Sequence, residues 1–572
     1  MRQKDRATKQ LENKLQRRIK GQNTPEYLLS FLYEKLHERY QLAMKFSFWR
    51  FSYTVVATFS LLGLTAASGP ESNIQDVELK IGIVQRFGAE PTRKLQLEPT
   101  KGDRLKLKFQ TGNKQQIVVT NNPVKLETVV QSLPQSAVQE VLVLGTYRTF
   151  ENAEDSANKW RSQGMEVEIA QPERWQVWAK RDVYRTPLLR RLLLQNIQAT
   201  TQEKVYLDTK IVKQVPQVSW VVDGKRYSQN DVEISTDKNL IRVNKSERSE
   251  NARLYAGRLN LQPNAYGTYT LVNEVPLESY LRGVVPYEIG TDAATSALEA
   301  QAILARTYAL RNLRRFAADN YQLCADTHCQ VYYGLNGAAT KTDRAIAATR
   351  GEVLTYKNEL IDALYSSTTG GVTASFSDVW NGEDRPYLRP VIDAPTSLWN
   401  LSKQSLANEK NFQKFINMQQ GFNESKWDMF RWRKETRLED IIKDLQKFLQ
   451  VKNSPYAKFK TIQAMAVVKR SQSGRILELA VKTDNSTFVL HKDEVRSAFA
   501  APTSTLFYIE PLNKGKTELW GYAFIGGGLG HGVGLSQTGA QNLAKLSWSS
   551  QKILQFYYPG TEIKILNKEI KL

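Results

Sequence analysis

Cysteine is nearly absent. The 572 residues hold two, Cys324 and Cys329, both in one short block, beside only four histidines and six methionines. That count excludes a disulfide-dense secreted scaffold and an array of zinc modules, each of which needs several cysteines per domain. Acidic charge is also in short supply: 79 Lys and Arg face 58 Asp and Glu, a net charge of +21. Such a surface favours anionic partners, whether nucleic acid, lipid headgroups or acidic wall polymers. What is present describes globular structure. A hydrophobic content of 41% with 10% aromatics is too rich for a disordered chain, and the length suffices for two to four domains.

Charge is missing altogether from residues 51–68, FSYTVVATFSLLGLTAAS, a run long enough to cross a bilayer. A basic segment, residues 1–50, precedes it, with Arg2, Lys4, Arg6, Lys9, Arg17, Arg18, Lys20, Lys45 and Arg50. By the positive-inside rule this order keeps the N-terminus in the cytoplasm and exports everything after Ser68. The run is then either a signal anchor in the inner membrane or a signal peptide cleaved near Ala67, the latter with translation starting at Met44 rather than Met1. Export places the basic surface among wall polymers and argues against nucleic acid.

After a Gly-Pro-Glu-Ser-Asn linker, VELKIGIV, LKLKFQ and QQIVVT alternate apolar and polar positions, which predicts a small β-rich module over 75–128. Residues 129–186 change character. A strand ending at Gly145-Thr146-Tyr147 leads into a helix from about Asn152 to Ser162, stopped at Gly164, and then into strands MEVEIA and WQVWAK. This β-α-β-β order resembles half of a SPOR domain, a family of small periplasmic glycan-binding modules; the alternative is an ordinary ferredoxin-like module. Leu188–Gln198 reads as an amphipathic helix joining modules, and 204–270 is strand-rich with turns at Asp223-Gly224 and Asn264–Gly267.

From Val284 to Tyr308 the chain reads VVPYEIGTDAATSALEAQAILARTY. Ser296 and Glu299 have the S-x-x-E spacing of a capping box, so Glu288 stands on a short loop just before an alanine-rich helix. A carboxylic acid beside a rigid helix suits the proton donor of glycosidic bond cleavage; Asp292 is the nearest other carboxylate.

The blocks VPLESYLRGVVPYEIG, ALEAQAILARTYALRN, CADTHCQVYYG, YSSTTGGVTASFSDVWNGEDRPYLRPV, SGRILELAV and GGGLGHGVGLSQTGAQNLA, followed by ILQFYYPGTEI, resemble the SpoIID/LytB family in order over about 250–572. The resemblance implies a SpoIID/LytB-like domain over 200–572, with core motifs at 275–395 and 461–563 around a helical insertion, 396–460, whose Trp399, Trp427 and Trp432 either extend a sugar groove or pack internally. The fold class expected is α+β multidomain: a mixed strand-and-helix catalytic domain preceded by β-rich and ferredoxin-like (SPOR-like) modules and an N-terminal hydrophobic segment. Family members include a peptidoglycan lytic transglycosylase and modifiers of an amidase.

Carried over by position, the catalytic glutamate falls on Glu288. Where the family has methionine and proline after it, this chain has Ile289-Gly290, and Thr295 and Ser296 replace a later proline and acid. Gln301, Thr368, Thr369, Gly370, His531 and Gln537 are implied as substrate-binding. Arg306 either joins them, holding lactyl or acetamido oxygens, or makes a structural ion pair. No cofactor is required. Cys324, His328 and Cys329 are either three ligands of a structural zinc, as in some family members, or contain a disulfide or free thiols. The partners implied are peptidoglycan glycan strands, an N-acetylmuramoyl-L-alanine amidase and, through residues 51–68, the membrane.

Overall fold

The computed structural model describes residues 77–571 except 91, 246–251 and 516–517. The basic segment 1–50 and the apolar run 51–68 lie outside the described residues. Among the described residues no helix is long and apolar enough to cross a membrane.

The alternating strands that follow residue 77 do not close on themselves. Glu78–Phe87 pairs antiparallel with Tyr269–Pro276, and Leu105–Thr111 lies between Lys114–Thr120 and Val232–Thr236, all in one seven-stranded sheet. Leu95–Pro99 pairs with Leu240–Asn244 in a second sheet. Their inward residues, Leu79, Ile81, Leu95, Leu97, Leu105 and Leu107, have no exposed surface and share one core with Ile234, Ile241, Leu259 and Leu271. The module expected over 75–128 is therefore half of a fold completed by later strands. One apolar face per strand needs a facing layer, and nothing local in the sequence says where that layer comes from.

Between the halves sits a compact unit: β1 Val124–Tyr147, α1 Phe150–Ser162, β2 Val167–Ala170, β3 Trp175–Ala179, α2 Pro187–Thr200 and β4 Tyr206–Val222. The strands are antiparallel in the order β4-β1-β3-β2, the ferredoxin-like β-α-β-β-α-β arrangement. Thr149 caps α1 by accepting the Asn152 N–H. The helix expected to join modules is α2, the second helix of this unit. Arg190 and Arg191 both donate to Glu140 on β1 at 3.0 Å, and Ile197 is buried. The unit thus runs to Val222 rather than ending at 186. Only half of it was visible in sequence because α2 and β4 reveal their partners through packing.

The C-terminal part is built on α3, Val285–Ile289, and α4, Thr295–Arg311. From Ala297 to Leu310 every residue of α4 except Glu299 is buried, as expected of a helix with little polar surface on any side. The capping box does not form. Ala294 is the N-cap, with no side-chain cap bond, and Ser296 already lies within the first turn. The first helical bonds run from Ala297 and Leu298 N–H to the Ala294 carbonyl, so burial of the apolar helix sets its start. Later segments surround α4: Thr340–Ala348, the strand Glu352–Tyr356, α5 Gln537–Lys545 and Ser550–Tyr557.

Residues 396–460 are not a helical insertion. The strand Trp432–Arg437 between helices Glu409–Asn417 and Leu438–Val451 pairs with Glu518–Gly526, which pairs in turn with Phe507–Lys514. Trp432 is buried there and donates to the Gly528 carbonyl at 3.0 Å. Trp399 packs edge-on against Phe415; Trp427 is exposed.

Candidate active site

Glu288 sits on α3, where Val284, Val285 and Ile289 anchor the turn in the core. The family's prolines are absent from the following loop, which turns at Gly290 instead, at φ +83°, a conformation that costs glycine little. The carboxylate Oε1 accepts the Val331 N–H at 2.7 Å, and the side chains of Gln537 and Tyr365 lie alongside as further hydrogen-bond partners. A parallel pairing explains their convergence: Tyr365 lies opposite Leu535 and Ser366 opposite Ser536, which carries Tyr365 to the first residue of α5, Gln537.

A ring of polar groups then closes around the acid. Gln330 donates to the Tyr365 hydroxyl at 2.9 Å and accepts from Tyr280 at 3.2 Å. Gln537 donates to the Gln301 Oε1 at 3.4 Å. Burial holds Tyr280 and Tyr365 well above the usual phenol range, so both stay neutral. Burial also pushes the Glu288 carboxyl above its ordinary 4.5, against the opposing hydrogen bonds from Val331, Gln537 and Tyr365. The side chain is only partly buried. A carboxyl whose protonated form is favoured by burial and that still meets solvent has the properties of a general acid.

An acid whose pKa is raised on folding destabilises the fold as pH rises from 4.5 through the folded value, and continues to do so above it. Glu288→Gln is therefore expected to melt no lower than the parent at pH 7 and to lose any advantage below pH 4.5, which thermal unfolding at the two pH values checks.

Val331 is held from the other side. Cys324, in a strand paired with Glu78–Phe87, forms a disulfide with Cys329, two residues before Val331. Bridged sulfurs are not thiolates, His328 is exposed, and the described residues contain no cluster able to hold a metal ion. A zinc set of Cys324, His328 and Cys329 does not fit. Replacing both cysteines with serine is expected to cost about 2 kcal/mol, the loop-closure value for so short a span. Turnover should fall with it as the Val331 amide loosens, and unfolding with and without reductant measures the first effect.

Of the other residues implied by sequence, Gln537 lies against Glu288 and Gln301 reaches it only through Gln537. Arg306 does neither. It is fully buried, with two bonds to Glu278 at 2.7 and 2.8 Å and one to the Glu352 carbonyl, so it is the structural ion pair. Thr368 and Thr369 are buried as well and are not among the hydrogen-bond partners of the acid. Thr369 donates both its N–H and its hydroxyl to Glu424, at 2.6 and 3.0 Å, and Gly371 donates its N–H at 2.8 Å. Gly370 packs on Gly527 so closely that a Cβ would clash. His531 packs at a tilt against Trp380 and accepts the Val533 N–H through Nδ1. Burial, reinforced by Arg496, holds its pKa down to about 4, so its ring is neutral at physiological pH.

Sequence reasoning missed Tyr365, Gln330 and the Val331 amide, although all three stand in quoted blocks; a tyrosine or glutamine beside a motif carries no local sign of its target. It also missed Glu424. This fully buried carboxylate receives the Ser536 hydroxyl besides the Thr369 and Gly371 donors, and Ser536 caps α5 directly before Gln537. Asp393 lies beside it, its pKa raised well above the ordinary value by burial and then by the Glu424 charge.

A cleft of about 510 Å³ flanks α3, lined by Pro286, Tyr287, Gly290, Asp292, Gln541 and Lys545 among others. Glu288 borders this space without lining it, while Asp292 is exposed in it. A larger cleft, of about 1480 Å³, lies elsewhere, between the ferredoxin-like unit and residues 448–497. None of the polar ring around Glu288 lies in that larger cleft.

Residues 265–356 match the family model described as Stage II sporulation protein (SpoIID), which contains Glu288, Gln301 and Val331. Residues 374–534 match a domain of unknown function, DUF8618, which contains Glu424. The amidase enhancer of Bacillus subtilis is 29% identical over 301 residues, 50% of this chain and 40% of that protein. Stage II sporulation protein D of Bacillus subtilis is 26% identical over 333 residues, 54% of this chain and 81% of that protein. Residues 265–356 thus carry a SpoIID-family domain, and about half of the chain is similar to SpoIID and amidase-enhancer proteins. An uncharacterized protein of Brachyspira hyodysenteriae is 27% identical over 307 residues, covering 53% of this chain and 70% of that protein. The chain thus spans well under half of the amidase enhancer. Within the SpoIID domain, the matched segment supplies the acid and the Val331 amide, while Tyr365 and Gln537 come from outside both matched segments.

Proposed function

We propose that this protein acts on peptidoglycan as a lytic transglycosylase, with Glu288 as its single acid and base. The observation that carries the reading is the Glu288 carboxyl itself, raised in pKa by burial, held by the Val331 amide and still open to solvent. Its proton goes to the glycosidic oxygen between N-acetylmuramic acid and N-acetylglucosamine as the bond from C1 breaks. The carboxylate left behind takes the proton of the muramic C6 hydroxyl as that oxygen bonds to C1. The product is a 1,6-anhydro end, and no water is consumed. One group serves twice, so no second carboxylate at glycosidase spacing is needed. The Val331, Gln537 and Tyr365 hydrogen bonds favour the carboxylate while burial favours the acid, which brings the two forms closer in energy.

The setting proposed is the exported side of the inner membrane, the chain anchored or cleaved at residues 51–68, with the ferredoxin-like unit as a SPOR-like glycan-binding module. The amidase enhancer among the relatives favours a second reading, in which the same domain binds glycan and activates a partner N-acetylmuramoyl-L-alanine amidase without cutting. Product analysis decides between them. Sacculi with and without stem peptides, incubated with the protein, are examined by mass spectrometry for anhydro-muropeptides. Their absence in both, together with stimulation of an added amidase, selects the second reading.

A further inference from the structure

The 1480 Å³ cleft contains no residue of the Glu288 ring and has chemistry of its own. Its walls are the face of β1, β3 and β4 on one side and, on the other, the end of the helix Leu438–Val451 with the turn at His491–Ser497. Nine Lys and Arg and five Asp and Glu line it. Four of those carboxylates are already committed: Glu140 to Arg190 and Arg191, Asp208 to Lys210, Asp493 to Arg496, and Glu494 to Lys452. Among the described residues this leaves Arg86, Arg148, Arg174, Lys204 and Lys492 without a carboxylate partner, against Glu173 alone on the acidic side.

Arg148 and Arg174 stand out. They lie on the loops that end β1 and open β3, close enough to repel one another, and neither makes a hydrogen bond or ion pair among the described residues. Burial lowers the pKa of both guanidiniums. Arg148 is exposed to the cleft and Arg174 half-buried in it. The carboxylates nearest them, Asp493 and Glu494, are already shared with Arg496 and Lys452, so the cleft keeps a positive excess that a bound oxyanion would offset. The rest of the lining is not that of a phosphate pocket alone. Gln139, Gln176, Thr146 and Thr268 offer neutral donors and acceptors, and Tyr206 is 45% exposed on the β4 face, an aromatic surface on which a sugar ring can lie. The volume exceeds the roughly 300–1,000 Å³ of small-molecule pockets.

We propose that this cleft binds a stretch of an anionic carbohydrate polymer, with Arg148 and Arg174 seating its carboxylate or phosphodiester groups. The site is separate from Glu288, so the test uses the full chain carrying Glu288→Gln, in which cleavage cannot confuse binding. Titration calorimetry compares an oligogalacturonate, a poly(glycerol phosphate) and the neutral chito-oligosaccharide. At least one charged polymer is expected to bind about tenfold or more tightly than the neutral one, and to lose that margin with Arg148→Ala/Arg174→Ala. Affinity should fall as salt rises, and Arg148→Lys/Arg174→Lys should restore part of it. The better of the two charged polymers tells whether carboxylate or phosphodiester is the natural group. Equal affinity for the neutral sugar, indifference to the arginine changes in variants that melt like the parent, or tighter binding of a single-stranded oligonucleotide would each overturn the assignment.

Discussion

Glu288→Gln is expected to lower the release of anhydro-muropeptides by about 10²–10⁴-fold, the usual contribution of a positioned general acid, while glycan binding persists. Glutamine keeps the shape of the side chain and can still accept the Val331 N–H, so the change removes the transferable proton and little else. In the parent, the rate should decline as pH rises through the elevated Glu288 pKa, because the first step needs the protonated form. Mass spectrometry of products from sacculi, read across pH, measures both effects. A variant as active as the parent would remove Glu288 from the reaction; a parent with no anhydro product at any pH would remove the transglycosylase reading.

The second large effect is expected at Glu424, where stability rather than chemistry is at stake. Glu424→Ala leaves the Thr369 and Gly371 amides and the hydroxyls of Thr369 and Ser536 without their buried acceptor. At about 1–3 kcal/mol for each unmet buried group, partly relaxed, a loss of about 3–5 kcal/mol is expected. Asp393→Asn provides the contrast. Burial and the neighbouring Glu424 push the Asp393 pKa well above its ordinary value, and its Oδ1, which accepts from Tyr557 at 2.7 Å and Asn423 at 2.8 Å, survives in asparagine. That variant is expected to stay within about 1 kcal/mol of the parent. Denaturant unfolding of the two proteins distinguishes a carboxylate that organises three segments from one whose hydrogen bonds an amide oxygen can replace. Because Ser536 precedes Gln537, Glu424→Ala should also slow turnover at temperatures where the protein remains folded. The domain of unknown function would then be a working part of the SpoIID site rather than an appendage.

The sequence by itself carried the resemblance to the SpoIID family, singled out Glu288 as the acid to propose, and marked the local elements. Glu288 and its helix lie in ordered blocks, and apolar alternation with Gly164 and Asp223-Gly224 as punctuation marks strands and turns from local chemistry alone. Strand pairing between distant segments was beyond it. Leu79 and Leu105 show that they need a facing layer, yet only the closed sheets reveal that 232–276 supplies it. The same limit applied to α4, whose Ser296 and Glu299 have capping spacing, while burial of Ala297–Leu310 started the helix earlier. It applied again to Arg306 and Thr369, polar residues in motif blocks that the tertiary structure turned inward to Glu278 and Glu424. A motif records which residue types stand near one another along the chain. Whether a polar group meets solvent, substrate or a buried partner depends on what packs over it, and around Glu288 that was decided by segments as far apart as 331, 365 and 537.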